Sequence, residues 1–486
     1  MNKRLKSALA VILMVLLCFG SCFATGCSKK SKVSLADRLA ALDGVVSVTP
    51  IEVTEYHKPS NRFQERYLVK FEQPIDWKHP ELGTFTQRVF LGYAKQADVT
   101  CYNTGGYFLG DVLDPDYLQK CDAEVEYISK YNLNYVEIEY RFFAESVPEG
   151  LSATEERYWE YMTAENASGD FHHIITELGK VLGGSTIFYG HSKGGSAVES
   201  MACLFPDDID AYVSYVAPLC DGTNDDRLYE NLYTTIGDKD PAYGAEKAAK
   251  YRQIVLDYQL KLLEPDVRKV VQPEVMDYLK QCGWPLSPLV SEDEAYEAAV
   301  ADLPTFIWQY MPVFGEMERE LKLPETPELA LVNKIGIIGN RLIFSSLETT
   351  ITCKSPMTPY FIQSFIEMGN YTIDLSYLRE AGAELKTRPE DEASLAIRMC
   401  APVLWNSSLK YSDQHKNEVI RFMDTTDKEI IKIVGLSDPW YAVSQVTNNE
   451  HIHLFEVSAT HDANPNCMTE EDRTEFYAIL DRLLGR

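Results

Sequence analysis

The sequence predicts an α/β protein with a mostly parallel sheet, helices on both faces and one large helical insertion. Between residues 99 and 218, short apolar runs alternate with segments of helical spacing, which is typical of βαβ units. Residues 221–428 contain little strand pattern, and an apolar β run then returns at residues 429–434. The long segment is therefore interpreted as an insertion between two neighbouring strands, forming a lid or cap over the site.

The individual elements are predicted from periodicity and from turn residues. Residues 73–83, which are rich in proline and glycine, connect two strands as a hairpin, and Pro285, Pro304 and Pro324 break the insertion. Helices are predicted over residues 35–42, 164–182, 245–263, 327–333 and 470–484. Strands are predicted over residues 45–53, 66–71, 84–93, 99–102, 134–140, 186–189, 211–216, 429–434 and 453–457.

The amino-terminal residues resemble a secretory signal. Lys3, Arg4 and Lys6 precede an apolar run over residues 8–19, which is short for a membrane span. The run ends in small residues before Cys27, similar to the site at which bacterial lipoproteins are cleaved and acylated. We expect an extracytoplasmic protein anchored to a bacterial membrane through lipidated Cys27, although a plain secretory signal with an incidental cysteine is the alternative.

These boundaries divide the chain into five parts. Residues 1–26 are expected to be the signal peptide and residues 27–34 the acylated tether. Residues 35–220 and 429–486 would form the two parts of the core, with the cap over residues 221–428 between them. About 460 residues are enough for one large domain or for a domain that carries an insertion.

The charge balance limits the kinds of partner. The chain has 73 acidic and 46 basic residues and a net charge of −27, which argues against nucleic acid. We expect no metal, because there is no C-x-x-C pair and the adjacent His172 and His173 point in different directions on a helix. No cofactor is expected either.

A G-x-S-x-G pattern supplies the candidate nucleophile. Gly190-His191-Ser192-Lys193-Gly194 follows a short β run and precedes small residues that can begin a helix. A strand-to-helix turn of this kind exposes the serine hydroxyl, so Ser192 is the predicted nucleophile. The Lys193 backbone N–H, at the helix start, is a predicted oxyanion donor. Because the Lys193 cation opposes the helix dipole there, Asp225 or Asp226 is expected to lie beside it.

A second oxyanion donor is expected after the strand at residues 99–102. That strand runs into Asn103-Thr104-Gly105-Gly106-Tyr107, where paired glycines can bring backbone N–H groups close to a ligand. Gly106 or Tyr107 is the candidate. A glycine turn without a ligand is the alternative.

The candidate acid and base follow later in the chain. Asp438 stands at the predicted end of the 429–434 strand, just before Pro439, and His461 lies in the loop after the 453–457 strand. The order serine, aspartate, histidine is that of the α/β-hydrolase fold, which is the fold we predict. His451 and His453 are rival bases and rank below His461, because His453 would alternate within a strand.

With these residues placed, the chain resembles the secreted bacterial prolyl tri/tetrapeptidyl aminopeptidases, and more distantly the prolyl carboxypeptidase and dipeptidyl-peptidase family. The resemblance runs in order over roughly residues 35–465. It implies a serine peptidase with Ser192, Asp438 and His461 as the triad and a substrate pocket shaped by the helical insertion. The histidine segment of that family is matched only loosely at His461. The matching segments are residues 73–76, 83–89, 139–146, 190–195, 361–369 and 435–440.

Peptides with a free amino terminus are the expected substrates. The insertion has 34 acidic and 22 basic residues, which suits a ligand carrying an amine better than a lipid. Glu367, flanked by apolar residues, is the leading candidate to bind the ammonium group, with Glu145 second and Trp440 as a further substrate contact. A structural ion pair is the alternative for Glu367. An esterase or lipase with the same triad, and a catalytically silent peptide-binding lipoprotein, are the other readings of the chain.

Overall fold

The computed structural model describes residues 33–52, 62–112, 114, 130–152, 155–281, 286–310, 357–369, 373–444 and 447–486. Strands within these residues form one nine-stranded sheet. Their bounds are β1 Val45–Pro50, β2 Glu65–Pro74, β3 Thr84–Tyr93, β4 Val99–Asn103, β5 Leu133–Ile138, β6 Ser185–His191, β7 Ala211–Tyr215, β8 Ile430–Gly435 and β9 Ile452–Val457.

The strand order is β1-β2-β3-β5-β4-β6-β7-β8-β9. The β1, β2 and β3 strands are antiparallel neighbours, β3 is antiparallel to β5, and all pairs from β5 to β9 are parallel. The chain places β5 on one side of β4 and β6 on the other. In open α/β sheets the crevice outside the carboxyl ends of the strands at such a reversal is the usual ligand site.

Helices connect the parallel strands and cover the sheet. The connection from β5 to β6 contains α2, and the connection from β6 to β7 is α3. The helices are α1 Leu35–Ala40, α2 Ala164–Leu182, α3 Lys193–Leu204, α4 Arg227–Thr234, α5 Gly244–Leu263, α6 Pro265–Gln281, α7 Glu292–Ala301, α8 Leu303–Tyr310, α9 Thr358–Gln363, α10 Ser376–Glu380, α11 Pro389–Cys400, α12 Gln414–Thr425 and α13 Glu470–Leu483. A π-helical turn, Ser364–Met368, follows α9.

The core has two halves, one on each face of the sheet. Successive strand residues point to opposite faces, so Phe188 and Tyr212 belong to the half that contains α2 and α3. Their neighbours Ile187 and Val213 belong to the other half, against which Phe476 of α13 packs. Because both faces are covered, these strands are mostly apolar and do not alternate strictly between apolar and polar residues.

Within the described residues, the insertion between β7 and β8 consists of helices and loops, from α4 to α12, and contains no strand. Its last helix, α12, returns to the core and packs against α3, where His415 Nε2 lies 2.9 Å from Ser200 Oγ. This helix therefore acts as the crossover that leads the chain into β8. The predicted boundaries of the cap stay a prediction.

Most predicted elements coincide with observed ones to within a few residues. The predicted strand 134–140 ends early, at Ile138, and the Tyr140 N–H donates to the carbonyl of Tyr107 in the loop after β4 rather than to a neighbouring strand. Pro304 lies in the first turn of α8, where proline is tolerated, so it marks the break between α7 and α8. Residue 53, the predicted helix 327–333, Pro285 and Pro324 lie outside the described residues, as does Cys27.

Candidate active site

Ser192 occupies a sharp turn between β6 and α3. Its backbone has a φ of 55° and a ψ of −123°, a conformation that residues other than glycine rarely adopt. The turn is held in place by β7, because the Ser192 N–H donates to the Tyr215 carbonyl at 2.9 Å. The predicted strand, turn and helix are thus present around this serine, which projects from the carboxyl end of a central strand.

The loop after β4 packs directly against this turn. A Cβ on Gly194 would lie 2.1 Å from the Thr104 carbonyl oxygen, and a Cβ on Gly106 would lie 2.7 Å from the Gly194 nitrogen. Gly106 also has a φ of +78°. The two segments approach so closely only because neither position carries a side chain. This contact lies at the reversal of strand order between β4 and β6.

The predicted oxyanion donors differ in what they already bond. Lys193 is the first residue of α3, so its N–H has no partner within the helix. The Gly106 N–H donates to Thr104 Oγ1 at 3.2 Å in this structure. Gly106, Tyr107 and Lys193 stay predictions as donors.

Asp438 and His461 lie together at the ends of β8 and β9. The Nδ1 of His461 is 2.9 Å from Asp438 Oδ2, and Asp438 Oδ1 accepts from the Trp440 N–H at 3.1 Å. The Asp438 side chain is 1% exposed and that of His461 is 11% exposed. His461 Nε2 is buried and has no hydrogen-bond partner among the described residues. An imidazole held in this way can take up a proton at Nε2 while the carboxylate stabilises the resulting cation.

The rival base His453 is occupied elsewhere. Its Nε2 lies 3.0 Å from Glu429 Oε1, which also pairs with Arg482. The preference for His461 agrees with this geometry. Because β6, β7, β8 and β9 are successive parallel neighbours, the segments that carry Ser192, Asp438 and His461 emerge at the same edge of the sheet.

The expected partner of the Lys193 side chain is wrong. Asp225 is bonded to Arg227, whose Nε and Nη2 lie 2.9 and 2.6 Å from its two oxygens. Lys193 Nζ is buried and has no hydrogen-bond partner in the part of the chain that the structure describes. It lies 3.0 Å from the centre of the Tyr140 ring. The face of an aromatic ring can stabilise a cation. The sequence-based prediction did not connect Lys193 with the aromatic residues that precede α2, such as Tyr140 and Phe143.

The rings of Tyr107 and Phe143 complete an aromatic cage around Lys193, with centres 5.8 and 5.3 Å from Nζ. Burial lowers the pKa of Lys193 well below its ordinary value, and the nearby Glu367 carboxylate opposes this shift only in part. The aliphatic part of the Lys193 side chain also packs close to Gly106, since a Cβ added to Gly106 would lie 2.9 Å from Lys193 Cγ. Lys193 therefore links the serine turn to the loop after β4.

Glu367 lies in the π-helical turn and is buried. Its Oε2 accepts from the Ala164 N–H, the first amide of α2, at 2.7 Å. Burial raises the pKa of Glu367 to about 7, and the Ala164 hydrogen bond opposes the rise. Glu367 and Lys193 both line a small cavity of about 30 Å³, enough for a water molecule or two. Ser192, Asp438 and His461 are not among the lining residues of this cavity, and binding of an amine by Glu367 stays a prediction.

The other two predicted substrate contacts have partners within the chain. Glu145 is 62% exposed and pairs with Lys70 at 3.4 Å and with Arg88 at 3.3 Å, which is a surface ion pair. Trp440 is buried, its Nε1 donates to Gln309 Oε1 at 3.3 Å, and its ring centre lies 6.4 Å from that of His461. Trp440 therefore packs beside the histidine, whereas Glu145 is held at the surface.

Two kinds of feature are absent from the described residues. No helix in them is both long and apolar enough to cross a membrane. They also contain no group of three or more histidine, cysteine, aspartate or glutamate residues that could hold a metal ion.

The strand order, the serine turn after β6 and the acid and histidine after β8 and β9 define an α/β hydrolase. The chain belongs to the PS-10 peptidase S37 family, whose model matches residues 28–443. That region includes Ser192 and Asp438 and ends before His461. The suspected family is thereby confirmed.

Several known proteins are similar to this chain. The prolyl tri/tetrapeptidyl aminopeptidase of Streptomyces mobaraensis is 26% identical over 311 residues, which is 64% of this chain and 58% of the length of that relative. A proline iminopeptidase of Mycobacterium smegmatis is 11% identical, with 86% of this chain and 97% of that chain covered and a TM-score of 0.34. A hydrolase of Pseudomonas aeruginosa is 13% identical, with 83% and 96% covered and a TM-score of 0.33.

Proposed function

We propose that this protein is an extracytoplasmic, lipid-anchored serine peptidase that releases short peptides, of two to four residues, from free amino termini. The observation that carries the proposal is the buried pair of His461 and Asp438, placed at the same edge of the sheet as the strained Ser192 turn. The pair holds His461 through Nδ1, so Nε2 can take a proton from a serine hydroxyl that comes within hydrogen-bond reach, and no hydrogen bond occupies this nitrogen among the described residues.

The proposed reaction follows from these positions. Ser192 Oγ attacks the scissile carbonyl carbon while His461 Nε2 takes the hydroxyl proton and Asp438 holds the Nδ1 proton. The Lys193 and Tyr107 backbone N–H groups would donate to the oxyanion. His461 then gives its proton to the leaving amine as the C–N bond breaks. Water, activated by the same nitrogen, hydrolyses the acyl-enzyme and restores the serine.

Family membership and charge support a peptide substrate. The relative from Streptomyces mobaraensis is named a prolyl tri/tetrapeptidyl aminopeptidase, which suggests short released peptides and a proline preference here. The strongly acidic insertion favours a substrate that carries a free ammonium group. Secretion and the lipid anchor are supported by the basic and apolar residues before Cys27.

A fluorophosphonate probe tests the nucleophile directly. We expect the purified protein to be labelled once, at Ser192, as read by peptide mass spectrometry. Ser192→Ala should lose the label and lower turnover by about 10³-fold or more, with an unchanged circular dichroism spectrum. Ser196→Ala, which alters a serine one turn further along α3, is the matched control and should label normally. Labelling of Ser192→Ala at the parent rate would refute the assignment.

Substrate class is tested with matched peptides and esters. Tri- and tetrapeptide anilides ending in proline should be cleaved when the amino terminus is free and much more slowly when it is acetylated. Faster cleavage of the acetylated peptides would contradict the exopeptidase proposal. Hydrolysis of aryl esters of fatty acids together with inertness toward every peptide would identify an esterase instead.

The Glu367 anchor has its own test. Glu367→Gln should weaken kcat/KM for free-amine peptides by about 1.5–3 kcal/mol, as expected for a charge-assisted hydrogen bond, and leave a small aryl ester almost unaffected. Glu145→Gln, at the exposed second candidate, is the comparison. Equal losses on both substrates would mean that Glu367 acts only through the structure.

The lipid anchor is tested by metabolic labelling. Cells supplied with an alkyne fatty acid should label the full-length protein, and Cys27→Ala should abolish the label and release the protein from the membrane fraction. Equal labelling of Cys27→Ala would contradict acylation at this residue.

A further inference from the structure

Asp240 joins the insertion to the ends of two core strands. It lies between α4 and α5 and is 1% exposed. Its Oδ2 accepts from Ser437 Oγ at 2.6 Å, and its Oδ1 accepts from Ser458 Oγ at 2.5 Å and from the Ala242 N–H at 2.9 Å. Short O–H···O⁻ bonds of this kind are among the stronger hydrogen bonds in proteins.

The two serines stand next to the segments that carry the proposed acid and base. Ser437 directly precedes Asp438, and Ser458 follows the last residue of β9, three residues before His461. The two segments touch, because the Ser437 N–H donates to the Ala459 carbonyl at 3.0 Å. One carboxylate therefore bridges both segments at the point where they leave the sheet.

Other contacts hold the insertion against the same place. Asn231 Nδ2 donates to the Pro439 carbonyl at 3.5 Å, and Lys239 Nζ donates to the Tyr441 hydroxyl at 3.1 Å. These bonds reach only the Asp438 segment. Asp240, in contrast, accepts from a serine in each of the two segments.

We propose that Asp240 is a positioning residue that fixes the spacing of Asp438 and His461, so that the insertion sets the geometry of the triad. This inference rests on the proposed function. A hydrogen-bonded base must be placed accurately, and a shift of about 1 Å caused at a distance from the chemistry can cost about 10²-fold in rate. The carboxylate acts here through its two serine bonds and touches no reacting atom.

Asp240→Asn and Asp240→Ala separate position from charge. In Asp240→Asn the serine hydroxyls can rotate, so one can accept from the amide nitrogen while the other donates to the amide oxygen. We expect this variant to keep the parent kcat to within about threefold. Asp240→Ala should lower both kcat and the rate of fluorophosphonate labelling by about 10- to 100-fold, with KM nearly unchanged. Labelling depends on the triad and the oxyanion donors and needs no bound peptide, so a change in a peptide subsite would not alter it.

Asp238→Ala is the matched control in the same loop. Asp238 pairs with Arg252 at 2.7 Å, so its loss disturbs the insertion without touching Ser437 or Ser458. It should label at the parent rate. If Asp240→Ala does not fold, Ser437→Ala and Ser458→Ala remove the same bonds one at a time, and each should slow labelling.

The outcomes distinguish this inference from the proposed function. Labelling of folded Asp240→Ala at the parent rate would overturn the positioning role while leaving the triad intact. An Asp240→Asn variant as slow as Asp240→Ala would overturn it as well, because charge rather than position would then matter. If the parent protein is not labelled at Ser192, the proposed function itself fails, and the Asp240 variants cannot rescue it.

Discussion

The Lys193 ammonium lies 3.0 Å from the centre of the Tyr140 ring, although the residue belongs to the turn that presents Ser192. Its side chain crosses from the first turn of α3 into an aromatic cage and is 1% exposed. A lysine in a G-x-S-x-G turn would ordinarily be expected at the surface. Here its stem and head connect three separate segments, those of residues 104–107, 140–143 and 190–194.

This burial predicts an unusual response to substitution of Lys193. Lys193→Met keeps most of the stem volume and removes an amine that has no hydrogen-bond partner among the described residues, so the free energy of unfolding should rise by about 1 kcal/mol. Lys193→Ala leaves a cavity in the aromatic cage and should lower the free energy of unfolding by about 2–5 kcal/mol. Urea unfolding at neutral pH measures both. A Met variant as unstable as the Ala variant would mean that the ammonium itself stabilises the fold.

Gly194 should tolerate no side chain at all. Its substitution by alanine places a Cβ 2.1 Å from a backbone oxygen of Thr104, which cannot move without shifting β4. We expect Gly194→Ala to lower the free energy of unfolding by about 3 kcal/mol or more and to abolish fluorophosphonate labelling. Gly179→Ala is the control, since this exposed helical glycine has open space around it and should become slightly more stable. Parent-like stability in Gly194→Ala would contradict the observed packing.

Much of this architecture could be predicted because its signals are local. The runs that became β4, β6, β7 and β8 are mostly apolar and β-branched or aromatic, because these strands lie inside the sheet with both faces covered, so each is easily recognised. The α/β-hydrolase fold predicted from the ordered serine, aspartate and histidine is confirmed by the strand order. The pairing of His461 with Asp438 was also accessible, because a chain of this fold leaves few other places for an acid and a base.

The errors arose where contacts are distant in sequence. Lys193 was expected beside Asp225, but its surroundings come from residues 107, 140 and 143, which no periodicity connects to it. The sequence pattern around Asp240 does not indicate its role, because an aspartate in a polar loop has the same sequence context whether it is exposed or bridges the ends of two strands.

Glu367 predicts a pH dependence of stability. Burial raises its pKa in the folded protein to about 7, above the ordinary value of 4.5, so folding favours the protonated acid. Its contribution to stability is fully present below pH 4.5 and is lost as the pH rises through 7. Glu367→Gln removes the titrating group. The free energy of unfolding of the variant, relative to that of the parent, should therefore rise by about 3 kcal/mol between pH 4.5 and 8. Urea unfolding at several pH values measures the difference. A constant difference would show that Glu367 does not titrate in this range.

The bond between Asp438 and His461 Nδ1 should decide which nitrogen of the imidazole carries the proton. In Asp438→Asn the amide can donate to Nδ1, which would move the imidazole proton to Nε2, the nitrogen that must accept from Ser192. We expect kcat to fall by about 10⁴-fold and fluorophosphonate labelling to slow in parallel, with KM and the thermal midpoint little changed. Asp462→Asn is the matched control, because Asp462 accepts from Thr460 Oγ1 at 2.9 Å and neighbours His461 in the chain without bonding its ring. Near-parent turnover in Asp438→Asn, or an equal loss in Asp462→Asn, would show that the acid of this site is another residue.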